Sequence, residues 1–150
     1  MANKKYRLTT TLGLLRENGA CESGYSTLLK SLGLKWPKDK PINLLRVLKS
    51  NGVLDMCWCF RATVEDSKVP GILCAADFAQ SVLKYFTAKY PNDDRPAKAI
   101  KVARDFARGK VGRTSADSAD SAAYAASADS AAAREKERAK QAKIIKKWLK

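Results

Sequence analysis

The chain has 150 residues, 45% of them apolar, and four cysteines. That length and composition suit a single soluble domain that buries a core without disulfides or metal, and no apolar run is long enough to cross a bilayer. The formal net charge of +14 points to a polyanionic partner (nucleic acid, an acidic protein surface or an anionic membrane) or simply to a solvated helix surface rich in lysine.

The first 94 residues carry 14 basic and 9 acidic groups; residues 95–113 carry seven against one, residues 114–133 three aspartates and no cation, and residues 134–150 eight against two. Positive charge is therefore concentrated in two late blocks separated by an acidic spacer. The N-terminus has no apolar signal core behind its lysines, and the cysteines form no dense framework, so a cytoplasmic protein with reduced thiols is expected.

In chain order, the spacing of Leu8, Leu12 and Leu15 predicts a short helix ending at Asn18-Gly19. Ser23 is a candidate cap for a helix through Tyr25, Leu28, Leu29 and Leu32, stopped by Gly33. Residues 36–41 read as a loop, because Pro37 and Pro41 push the residues before them out of helix. A helix is predicted over Ile42–Lys49, and Val53–Ala62 is the most apolar stretch. Its periodicity also fits a strand, but a buried helix is expected among helical neighbours. Ile72–Tyr90 predicts a long amphipathic helix.

Residues 92–109 read as a helix with start and stop written in. Asp93 or Asp94 caps it, Pro96 sits near its first position, Ala99, Ile100, Ala103, Phe106 and Ala107 share a face, and Gly109 ends it. Residues 115–133 are rich in alanine with serine and aspartate, and contain neither glycine nor proline, so helix is expected there too. In the last segment Lys136, Lys140, Lys143, Lys147 and Lys150 form one basic stripe, and Ala142, Ile145, Trp148 and Leu149 a separate apolar one. The fold expected is all-α: a compact multi-helix bundle over residues 1–112, then one long Ala-rich C-terminal helix over 113–150.

Catalytic chemistry is sparse. The chain has no histidine, which removes the commonest general base and the Ser/His and Cys/His pairs. Cys57 and Cys59, two apart on a helix, point to nearly opposite sides and read as packing rather than as metal ligands. No phosphate-cradling glycine loop or nucleophile elbow occurs. No catalytic residue, cofactor or metal is assigned. Arg95 and Arg104 could fork onto Asp77 or Asp94 and lock two helices, or present two guanidinium groups to an anionic ligand.

Residues 14–33, 41–62 and 90–109, with the alanine-rich run and its AKIIKKWLK ending, resemble a family of small helical proteins of phages and bacteria labelled "putative immunity protein". The resemblance covers about residues 12–150. Its most specific element is Asp94, Arg95, Pro96, Ala99, Ile100, Ala103 and Arg104; the serines and aspartates within the alanine run depart from the usual form. The resemblance implies no enzyme activity and suggests a host or bacterial protein as partner, which a phage or mobile-element protein would inhibit or neutralise. The alternative is sequence-independent nucleic-acid binding through the C-terminal lysines, joined by Arg95, Lys98, Lys101, Arg108, Lys110 and Arg113. Self-association through the Ala-rich helix is a further expectation; a membrane partner is not.

Overall fold

A computed structural model describes residues 4–112 and 134–150, with the side chains of 134–136 excepted. The described chain is mostly helical, in the order β1 (Thr9–Thr10), α1 (Leu12–Glu17), α2 (Glu22–Leu32), β2 (Ile42–Asn43), α3 (Leu44–Asn51), α4 (Val53–Trp58), a 3-10 turn (Cys59–Arg61), α5 (Lys68–Lys89), α6 (Arg95–Ala107) and α7 (Arg134–Trp148). It divides into two compact units, Met1–Lys68 with Ile145–Lys150, and Val69–Ile144.

The all-α expectation needs correction: β1 and β2 pair antiparallel, with Thr9 opposite Asn43 and Thr10 opposite Ile42. The residues predicted to open two helices instead run extended. Thr9 and Thr10 are β-branched and favour that conformation. Thr11 caps α1 by accepting the Leu14 N–H at 3.1 Å, so the helix starts later than the leucine spacing suggested. At β2, Asn43 accepts the Leu45 N–H at 2.8 Å, which places the start of α3 at Leu44. The other edge of β1 is covered as well: the Val64 N–H donates to the Thr9 carbonyl at 2.8 Å, the Thr10 hydroxyl to the Ala62 carbonyl at 2.6 Å, and Thr9 to the Glu65 carboxylate through N–H and hydroxyl at 2.6 and 2.8 Å.

The first unit buries Leu8, Leu12, Leu15, Leu28, Ile42, Leu44, Val47 and Met56, together with Ile145 and Leu149 from the chain's end. Each fully buried side chain of this size contributes about 1.5–3 kcal/mol. The two ends of the chain meet here: the Tyr6 N–H donates to the Trp148 carbonyl at 2.7 Å, the Lys150 N–H to the Tyr6 carbonyl at 2.9 Å, and the Asn43 amide to the Lys150 carbonyl at 3.0 Å. The apolar stretch 53–62 forms α4 and the 3-10 turn, as the helical reading required. A Cβ on Gly24 of α2 would stand 2.9 Å from an Asp55 carboxylate oxygen of α4, so any larger residue there would have to push that carboxylate aside.

In the second unit, Ala76 and Ala79 of α5 pack with Ile100 of α6, and Leu83 and Ala103 join them. The small alanines let the two helices come close. The expected long helix over 113–150 is not shown. α7 covers Arg134–Trp148, and the alanine-rich run through residue 133 lies outside the described residues. No described helix is long and apolar enough to cross a membrane.

Candidate partner-binding surface

α6 forms where its local signals place it. Its first turn holds Pro96, whose missing N–H is one the helix would leave unpaired anyway. Asp94 occupies the cap position but makes no capping bond; its carboxylate pairs with Lys98 at 2.7 Å. Asp93 is the residue that receives the Arg95 N–H, at 3.1 Å, and the Arg95 guanidinium as well, at 2.6 and 2.9 Å. That guanidinium and N–H hold the Asp93 carboxyl at about 2, well below its ordinary 3.8. Gly109 ends the segment at φ +72°, a left-handed conformation.

The two arginines of the motif have different tasks. Arg104 donates to Asp77 of α5 at 2.7 Å and to the Gln80 amide oxygen at 3.3 Å, with side chains 30% and 9% exposed for Arg104 and Asp77. Arg95 faces solvent and closes on Asp93. The pair therefore does not converge on one anion: each guanidinium already has a carboxylate. Ile100 and Pro96 are buried. α7 is tied to α5 by Glu137, a buried side chain whose carboxylate accepts from the Ser81 hydroxyl. Sequence reasoning missed this tie, since a glutamate on a charged helix gives no sign that it is buried.

Next to these ties, Gln80, Leu83, Lys84, Thr87 and Ala88 line an open depression of about 460 Å³ along α5. Beyond it Tyr85 and Tyr90 are exposed, with Lys84 and Lys89 at 5.0 and 5.5 Å from their rings.

Of the basic stripe, the Lys136 side chain lies outside the described residues. Lys140, Lys143, Lys147 and Lys150 are exposed. Lys140 is 4.0 Å from Glu137, and Lys147 lies 4.8 Å from the Trp148 ring. The cations expected to join them from α6 are compensated: Arg95, Lys98 and Lys101 each pair with an aspartate, Lys101 with Asp105 at 2.9 Å. Exposed pairs of this kind add little stability, but they reduce the net field of that face.

A second cationic surface went unnoticed in the sequence. Residues 30–49 carry Lys30, Lys35, Lys38, Lys40, Arg46 and Lys49 against Asp39 alone. Averaging charge over residues 1–94 had diluted this block; a shorter window would have found it. Lys40 and Arg46 lie 4.2 and 5.4 Å from the Trp36 ring, and Leu34 beside it is 77% exposed.

A family model described as Imm-5 like putative immunity protein matches residues 62–146. That span is shorter than the resemblance drawn over residues 12–150. No curated protein and no solved structure matches the chain.

Proposed function

We propose, on the premise that the chain belongs to the Imm-5 like putative immunity protein family, that it is a non-catalytic cytoplasmic protein that binds another protein and holds it inactive. The observation that carries this reading is the match itself, whose span encloses the whole second unit, Val69–Ile144. The C-terminal end of α5 adds to it. Tyr85 and, just past the helix, Tyr90 offer exposed aromatic area, a residue type enriched where proteins bind one another. The partner would be a bacterial toxin, or a host defence protein if the chain is phage-encoded. The test is capture of partners on the tagged full chain from host lysate, followed by assay of the captured protein with and without the chain. A near-stoichiometric partner whose activity falls is expected; no such partner, or one whose activity is indifferent to the chain, overturns the reading.

The nucleic-acid alternative is favoured by the exposure of Lys140, Lys143, Lys147 and Lys150. Its signature is affinity that falls steeply with salt, by a slope of about −0.9 per phosphate neutralised. Under the protein-binding reading, retention on DNA at low salt disappears at physiological salt.

A further inference from the structure

The loop between α2 and β2 is built rather than slack. Gly33, at φ +98°, turns the chain out of α2 in a conformation that side-chain-bearing residues rarely adopt. Two consecutive turns follow, closed by Trp36 N–H to Gly33 carbonyl at 3.0 Å and Lys40 N–H to Pro37 carbonyl at 3.2 Å. The second is pinned to α1, where the Gly13 N–H donates to the Lys38 carbonyl at 3.0 Å. A Cβ on Gly13 would come within 3.3 Å of the Lys38 side chain, so the approach is close. Trp36 is fixed as well, between Lys40 and Arg46, with its indole N–H directed at the Lys40 carbonyl at 3.4 Å.

This scaffold displays Leu34 to solvent. An exposed leucine alone means nothing; here it stands on a hydrogen-bonded turn, two residues before a half-buried tryptophan that Lys40 and Arg46 flank. Those cations differ from the ones on α6. Among the described residues, none of Lys35, Lys38, Lys40 and Arg46 has a carboxylate within ion-pairing distance. Asp39 is the loop's single carboxylate, so the surface keeps a net positive field.

We infer that the Leu34–Lys40 loop, with Arg46 of α3, is a docking surface for an acidic protein segment that carries a large apolar side chain. The apolar side chain lies against Leu34 and the edge of Trp36; its carboxylates meet Lys35, Lys38, Lys40 and Arg46. An aliphatic and aromatic centre with a charged rim is the anatomy of a protein interface. A nucleic acid fits less well, because Lys40 and Arg46 already flank the ring on which a base would stack and Leu34 has no counterpart in a phosphate backbone. A surface held rigid before binding loses little entropy when it docks. It lies outside the family-matched span, residues 62–146.

The inference rests on the protein-binding reading above and deepens it, and two measurements separate the fates of the two. Random dodecapeptides displayed on phage are selected against the full chain, and a representative peptide is measured by fluorescence anisotropy. The selected peptides are expected to be acidic with a large apolar residue. Leu34→Asp and Arg46→Glu should each weaken binding about tenfold or more, with the helical circular dichroism retained because both side chains are exposed, while Lys143→Glu leaves it intact. Selection without acidic bias, binding indifferent to Leu34→Asp and Arg46→Glu, or tighter binding of oligothymidylate at the same residues overturns the surface. If the captured partner of the previous section is neutralised equally well by Leu34→Asp and Arg46→Glu, the surface fails and the function stands. If no partner is neutralised yet acidic peptides bind here, the surface stands and the function fails.

Discussion

Cys57 and Cys59 show how far a two-residue spacing can be read. Burial pushes the Cys57 thiol up to about 11; burial, with Asp55 and Cys57 adding to it, pushes Cys59 up to about 12. Thiolate is the reactive form, so both should be inert. Cys21 is exposed, and its thiol is lowered by the Ser23 hydroxyl and then by the Gly24 N–H. A thiol reagent at neutral pH should modify Cys21 quickly, and Cys57, Cys59 and the buried Cys74 only on unfolding; peptide mapping of the labelled protein checks the order. Asp93 gives a pH test. Its folded value lies below its unfolded one, so its pairing stabilises the fold above about pH 4 and is lost as pH falls toward 2. The Tm difference between the native chain and Asp93→Asn should be constant above about pH 4 and close between there and pH 2. A difference that persists at pH 2 would show that Arg95 is not the cause. Glu65 follows the same sign. Burial raises its carboxyl, but the Thr9 N–H and hydroxyl outweigh that and leave it low.

Among the elements, α6 was legible almost to the residue, because cap, proline, period and terminal glycine are all local. Its attachment to α5 was legible only as a choice of partners. Charge showed that Arg95 and Arg104 needed carboxylates, but not that Arg104 would reach across to Asp77 while Arg95 closed on Asp93, two residues before it. Removing the reaching partner takes a charged hydrogen bond from a carboxylate that is nine-tenths buried, so Arg104→Ala should cost about 2 kcal/mol by chemical denaturation. Arg104→Lys should recover part of this, since a lysine can meet Asp77 but lacks the fork that also reaches Gln80. If Arg104→Ala is neutral, the tie carries no weight in the fold. The small sheet was invisible for a related reason. Each strand is two residues long, too short for a period of two to register, and the pairing joins residues 32 or 34 positions apart.

For the whole molecule, the return of the C-terminus matters most. Ile145 and Leu149 are almost fully buried in the first unit, and their backbone neighbours bond to Tyr6. Leu149→Ala should therefore lower stability by about 2–5 kcal/mol, read from denaturant unfolding. A loss below about 0.5 kcal/mol, as surface substitutions give, would mean that the terminus is not part of that core. The same return explains why the apolar stripe of the last segment was correctly separated from the basic one in sequence, while the surface it packs against was not. Helical periodicity shows which side chains share a face. It carries no information about which distant segment covers that face.

From the residues alone came the helical character of most of the chain, the start and end of α6, the helix within the apolar stretch 53–62, and the kinship later matched over residues 62–146. Those properties follow from caps, prolines, glycines and spacing, which act within a few residues. Tertiary structure alone decided the two-stranded sheet, the division of labour between Arg95 and Arg104, the burial of Glu137, the meeting of the two termini, and the gathering of Lys40 and Arg46 around Trp36. Most of these depend on residues far apart in the chain, and which of them meet is set by the path the folded backbone takes between them.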